Sequence, residues 1–242
     1  MSMDKVTPFK FSDVKQFPFM FWLLFLMNVT TYGVFWSFHP MFMQVLEAAM
    51  GIPHDAASEI TTYIPVVQVT IVFTTMGLSI LTKNETWFIW TGSVLCVVTV
   101  TIIPMFQLKG VFWGWVIMIM HASWGAMVLI TRTALITKIL PLKINSLGNG
   151  LSNSALCCAM FIYPVITGSI LGDVGSQQDI YYCMYVFMAV GGLGIFFSTW
   201  LLIYSWTWKK PEDKVWLSSK GDKSDDGGIN VGISPDTGAG FE

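Results

Sequence analysis

The sequence predicts an all-α membrane protein, a bundle of six transmembrane helices, and two observations carry that prediction. Six long apolar runs occupy residues 17–38, 60–81, 87–107, 111–131, 146–171 and 180–208. With the chain threaded six times, twelve of the thirteen Lys and Arg residues fall on one side. These are Lys5, Lys10, Lys15, Lys83, Arg132, Lys138, Lys143, Lys209, Lys210, Lys214, Lys220 and Lys223; only Lys109 lies opposite. Cationic loops resist translocation, so the basic side is expected to be cytosolic, with both termini there.

Composition agrees. A mean hydropathy of +0.62, 54% hydrophobic residues and 12% charged residues exclude an ordinary soluble domain. A helix needs about 20 apolar residues to cross a hydrocarbon core of about 30 Å, and each run suffices. Membrane β-barrels would need alternating segments of about 10 residues, whereas these runs are continuous. The first run is too long for a cleaved signal, and five spans follow it. Residues 1–16 read as a cytosolic leader, 17–208 as the membrane domain, and 209–242 as a disordered cytosolic tail rich in Gly, Ser, Asp and Lys. Cys96, Cys157, Cys158 and Cys183 fall in or beside spans, with no Cys/His spacing that suits zinc, and read as small apolar residues.

Connection lengths add a third clue. Long connections follow the first and fourth spans (39–59 and 132–145), and short ones follow the second and fifth (82–86 and 172–179). The two long loops face opposite sides, the pattern that two inverted three-helix units would give, as in secondary transporters.

Polar residues inside spans are the candidates for chemistry. His121 lies about ten residues into the fourth span, near mid-membrane, where an ionisable group faces the bundle interior or a water-filled cavity. It could bind solute, relay protons or bond to a neighbouring helix. Trp124, three residues on, would share its face. In the first span Asn28 and Tyr32 are four apart and at similar depth. Either they line a cavity or they make interhelical hydrogen bonds. Gln68 sits mid-way along the second span, three residues after Pro65. Asn145, Asn149 and Asn153 form a stripe interleaved with Gly148, Gly150, Ser152 and Ser154, which suits close packing or solute contact by Asn149 and Asn153. Arg132 and Lys138 read either as anchors snorkelling to headgroups or, for Arg132, as an inner gate. Outside, Glu47, Asp55, Glu59, Asp173 and Asp179 with His39 and His54 form an acidic, His-bearing rim in the outward loops. No Walker loop, intramembrane carboxylate pair, metal motif or nucleophile elbow is present, so no catalytic residue, metal or cofactor is assigned and no nucleic-acid role is expected.

Several short motifs carry a family resemblance over about 13–208: Asp13-Val14-Lys15, Trp22, Tyr32, Ala56-Ala57-Ser58, Gly77-Leu78, Pro141, Gly150-x-x-Asn153, and Ile170-Leu171 before Asp173. In these the chain resembles the carboxyl-terminal six-helix half of a major facilitator transporter, most nearly the lysosomal dipeptide uniporter type. The resemblance implies movement of small peptides out of an acidic organelle, and a glycosylated single-span membrane protein as partner. Leu81 stands where that family carries an acidic gate residue, and Arg132 stands near an apolar-proline turn of the relatives.

The expected function is therefore transport of a small organic solute, a dipeptide by resemblance, across an endolysosomal membrane or the plasma membrane. Asn28, Tyr32, Gln68, His121, Trp124, Asn149 and Asn153 would line the cavity, with Arg132 as gate. A second six-helix half or a second copy would complete it. The rival expectations are a non-transporting membrane subunit that scaffolds a partner, and a sensor signalling through the charged tail.

Overall fold

A computed structural model describes residues 14–15, 17–82, 84–140, 142–172 and 176–207. Most of the leader, the whole tail, Lys83, Pro141 and Asp173 lie outside the described residues. All regular structure among the described residues is helical. Six helices are long and apolar enough to cross a bilayer, which makes the chain a multi-pass membrane protein. They are α1 (Phe19–Ala49), α2 (His54–Thr82), α3 (Glu85–Phe106), α4 (Val111–Ile139), α5 (Leu142–Leu171) and α6 (Gln177–Thr207). Helix α1 passes through two π-helical turns, Asn28–Tyr32 and Val45–Ala49.

The helices outrun the apolar runs. The connection expected over 39–59 shrinks to residues 50–53, because α1 continues to Ala49 and α2 begins at His54. Hydropathy falls at His39-Pro40, but Phe42, Val45, Leu46 and Ala49 beyond it keep helical spacing and are buried. Likewise 132–145 is helix on both sides of residues 140–141, with Leu135, Ile136 and Ile139 buried on the extension of α4. Every connection is thus short, and the long–short alternation disappears. His39 is not in an outer loop, and Arg132 lies two turns inside α4 rather than at its end.

Packing runs between the halves of the chain. Helix α4 packs along α2 and α3, α1 along α5 and α6, and α3 along α6. Helix α1 is the most enclosed, and α2 and α5 are the least. Small residues set the approach distances, as expected where lipid is as apolar as the side chains. A Cβ on Gly125 of α4 would lie 2.1 Å from the Phe35 ring of α1. One on Gly194 of α6 would lie 2.2 Å from the Thr31 hydroxyl of α1.

Both ends are tied. On the basic side Lys138 of α4 pairs with Glu85 in the first turn of α3, and Phe19 sets its ring edge-on to Tyr204 at 5.8 Å. On the far side the Gly110 N–H donates to the Met50 carbonyl at 3.3 Å. His54 Nδ1 lies 2.6 Å from Glu47 Oε1, so this part of the expected rim is a hydrogen-bonded contact between α1 and α2. Ser176 and Asp179 cap α6 reciprocally, the Ser176 N–H donating to Asp179 Oδ2 at 3.0 Å and the Asp179 N–H to Ser176 Oγ at 3.3 Å.

Overpacking the α1–α4 contact is expected to destabilise the fold. Gly125→Val should cost on the order of 1–3 kcal/mol in a thermal or denaturant melt of the purified protein. Gly77→Ala, at a position with open space around a Cβ, should leave the melt almost unchanged. Equal behaviour of the two variants would show that the Phe35–Gly125 contact does not set the packing.

Candidate functional site

The π-helical turn Asn28–Tyr32 is where α1 meets its neighbours. A π turn lengthens the backbone hydrogen-bond span and leaves carbonyls short of partners, and such turns occur often at functional sites. Here side chains fill the shortfall. The Thr30 hydroxyl donates to the carbonyls of Leu26 at 2.9 Å and Met27 at 3.2 Å. The Tyr163 hydroxyl of α5 donates to the Val29 carbonyl at 3.2 Å. Thr31 donates to Ser93 of α3 at 3.3 Å. Gly33 ends the turn, and a Cβ there would lie 2.7 Å from the Tyr163 ring, so only glycine admits this approach of α5.

Asn28 opens the turn and joins three helices. Its Nδ2 donates to the Ser152 carbonyl at 3.0 Å and to Ser152 Oγ at 3.1 Å. Its Oδ1 accepts from Arg132 Nη1 at 3.0 Å. Arginine only donates and a carbonyl only accepts, so the amide can be oriented in one way. Arg132 Nη2 donates to Asn153 Oδ1 at 3.2 Å, and its Cζ lies 5.2 Å from the Tyr32 ring centroid. The guanidinium is thus held by two neutral amides and an aromatic face. Its Nε is buried with no hydrogen-bond partner. No carboxylate among the described residues forms an ion pair with it; Glu85 takes Lys138 and Glu47 takes His54.

The position of Arg132 differs from the anchor reading. Seven residues separate it from Ile139, about 10 Å of helix. Its side chain is 6% exposed and turns into the α1–α4–α5 seam instead of snorkelling outward. Burying a charge without a counter-ion is costly, and two amides and an aromatic ring offset only part of that cost here. Lys138, one residue from the helix end, pairs with Glu85.

A second cluster surrounds His121. The ring is fully buried and stacks on Phe35 at 4.7 Å and Phe42 at 5.3 Å, with Trp124 edge-on at 5.5 Å. His121 Nε2 lies 3.3 Å from His39 Nδ1 of α1, so one ring donates and the other accepts. His121 Nδ1 and Trp124 Nε1 are buried without partners. The two clusters touch, because Tyr32, under the guanidinium, stacks on Phe35 at 5.8 Å and 6°. One aromatic column therefore runs from Arg132 through Tyr32 and Phe35 to the imidazole pair.

Of the residues expected to line a cavity, Asn28, Tyr32 and Asn153 come together around Arg132, the expected gate residue, and His121 and Trp124 form the adjoining cluster. Asn149 does not join; its Nδ2 donates to Asn145 Oδ1 at 2.9 Å along α5 itself. Gln68 is half-buried on α2 and shares no hydrogen bond with either cluster. His39 and Ser152 were missed. The signal for His39 was available: Tyr32, Phe35, His39 and Phe42 recur at helical spacing and mark one face of α1.

Beside the amide cluster, an open groove of about 540 Å³ runs between α1 and α5. Phe25, Val29, Leu151, Ala155, Ala159 and Tyr163 are among its lining residues, and its surface is almost wholly apolar. Asn153, next in sequence to lining residue Ser154, is itself exposed.

Removing the Asn28 amide should unpair a buried charge. Asn28→Leu is expected to destabilise by about 1–3 kcal/mol in equilibrium melts, and Asn149→Leu by less than about 0.5 kcal/mol. A double-mutant cycle of Asn28→Ala with Arg132→Met should return a coupling of at least about 0.5 kcal/mol. Additive losses would show that the pair contributes nothing jointly. Neither a family model, nor a curated protein, nor a solved structure matches this chain, so the reading of the site rests on its geometry.

Proposed function

We propose that the chain is the solute-binding half of a membrane transporter that moves a small organic solute. The observation that carries the reading is the Asn28–Arg132–Asn153 cluster. It is a charged, hydrogen-bonding group set inside membrane-spanning helices, where such groups mark substrate or ion pathways. A purely structural bundle would need no cation there, since interhelical amide bonds alone hold helices together.

The packing supports a major facilitator type of half-fold made of two inverted triplets. Advancing each helix number by three, cyclically, exchanges the contacts of α1 with α5 and α6 for those of α4 with α2 and α3, and keeps α3 on α6. Helices three apart in sequence cross in opposite directions, so such an exchange inverts the repeat. On this reading the basic side is cytosolic, and the membrane is endolysosomal or the plasma membrane. The solute class suggested by the resemblance is the dipeptide. The lightly buried faces of α2 and α5 are where a second six-helix half, or a second copy, would close the cavity.

Reconstitution tests this. Proteoliposomes carrying the chain, alone and with a co-purified second half, are expected to take up labelled dipeptide or a small organic acid saturably. Asn153→Ala should lower that flux at least several-fold while the melt changes little. Folded protein that moves none of these solutes in either format would leave the non-transporting subunit as the better reading.

A further inference from the structure

We propose that Arg132 is the anchor for a single carboxylate on a small organic solute, whose apolar body lies in the groove between α1 and α5. The inference rests on the transport reading and adds the class of ligand. Three features carry it: an unpartnered donor, a missing counter-ion and an apolar neighbour.

Arg132 presents five N–H donors in a planar fork, and the structure uses one on Asn28 and one on Asn153. The Nε donor is itself buried and left over, and a buried donor without a partner is rare. Nε and the adjoining Nη edge form the fork that a carboxylate fits with two parallel hydrogen bonds. Asn28, Asn153 and Ser152 supply amide and hydroxyl groups but no negative charge. The cluster thus holds a full positive charge that no described side chain balances.

The same charge count limits the ligand. The other described cation at this end of α4, Lys138, is engaged by Glu85, which leaves one guanidinium for the solute. A monoanion neutralises it; a dianionic phosphate would leave a negative charge buried. A cation would be repelled, and a neutral isostere would leave both the guanidinium charge and its Nε unsatisfied. The groove then sets the rest of the molecule. Its lining of Phe25, Val29, Leu151, Ala155, Ala159 and Tyr163 lies on the two helices that Asn28 and Ser152 tie together. Asn153, exposed and next in sequence to the lining residue Ser154, accepts from Arg132 Nη2 and links the guanidinium to the helix that lines the groove.

The test uses the full chain in phosphatidylcholine nanodiscs, which carry no anionic lipid, and four probes of one shape. Phenylacetate at tenfold its dissociation constant should raise the melting temperature by about 3 °C. Phenylacetamide and phenethylamine should leave it unchanged, and phenyl phosphate should act at least tenfold more weakly. Arg132→Gln should abolish the phenylacetate response. If that variant does not fold, Arg132→Lys, which keeps the charge but loses the fork, should weaken binding at least tenfold.

Equal stabilisation by phenylacetamide, or no response of the wild-type protein to phenylacetate, would overturn the carboxylate site. A response persisting in the Arg132 variants would do the same, and tighter binding of phenyl phosphate would show that the site takes phosphate instead. The transport reading fails separately. Phenylacetate that binds without any solute flux would sink transport and keep the site, whereas flux of neutral solutes with no anion response would do the reverse.

Discussion

In hydrocarbon every backbone polar group must find a partner inside the protein, so a π turn in a spanning helix needs support from elsewhere in the bundle. Asn28–Tyr32 meets that requirement with its own Thr30 hydroxyl and with Tyr163 from α5. The remaining side chains of the turn then reach separate helices: Asn28 to α5 and α4, Thr31 to α3, Tyr32 to the Arg132 of α4. Gly194 leaves room for Thr31 against α6. One distorted turn of α1 is therefore the common partner of four other helices, which is why α1 is the most enclosed of the six.

That arrangement also positions the charge. Arg132 is not held by an acid, so the energy of burying it is met in part by two amides and the Tyr32 ring. The guanidinium therefore keeps a charge that no described carboxylate balances. The ring that covers the guanidinium also stacks on Phe35, and Phe35 lies against His121 and Gly125.

The large outward apolar surface has a simple physical reason. Exposed side chains such as Phe73, Ile80, Phe112 and Phe161 would be a liability in water, and a multi-pass protein can turn such surface to hydrocarbon or to another apolar helix. Interior and exterior are equally apolar, so hydrophobicity alone does not select which face of a helix turns inward. Glycine contacts and polar pairs make that selection: Gly125, Gly194 and Gly33 admit close neighbours, and Asn28 with Arg132 orients three helices.

What sequence alone determined follows from the same physics. Length and apolarity of each run decide that a helix crosses the bilayer, since lipid tests every residue of a span against one solvent. The six spans were legible for that reason. Helix ends were not, because hydropathy drops at the first polar residue while helical spacing continues; residues 41–49 and 132–139 are helix for this reason. The loop pattern drawn from those ends dissolved with them. Pairing was decided only by the tertiary structure. Nothing in one dimension tells that Arg132 turns inward to Asn28 while Lys138, six residues on, takes Glu85, or that His39 reaches His121 across 82 positions. Partners in three dimensions depend on which helices touch and at what register, and small residues far apart in the chain set both.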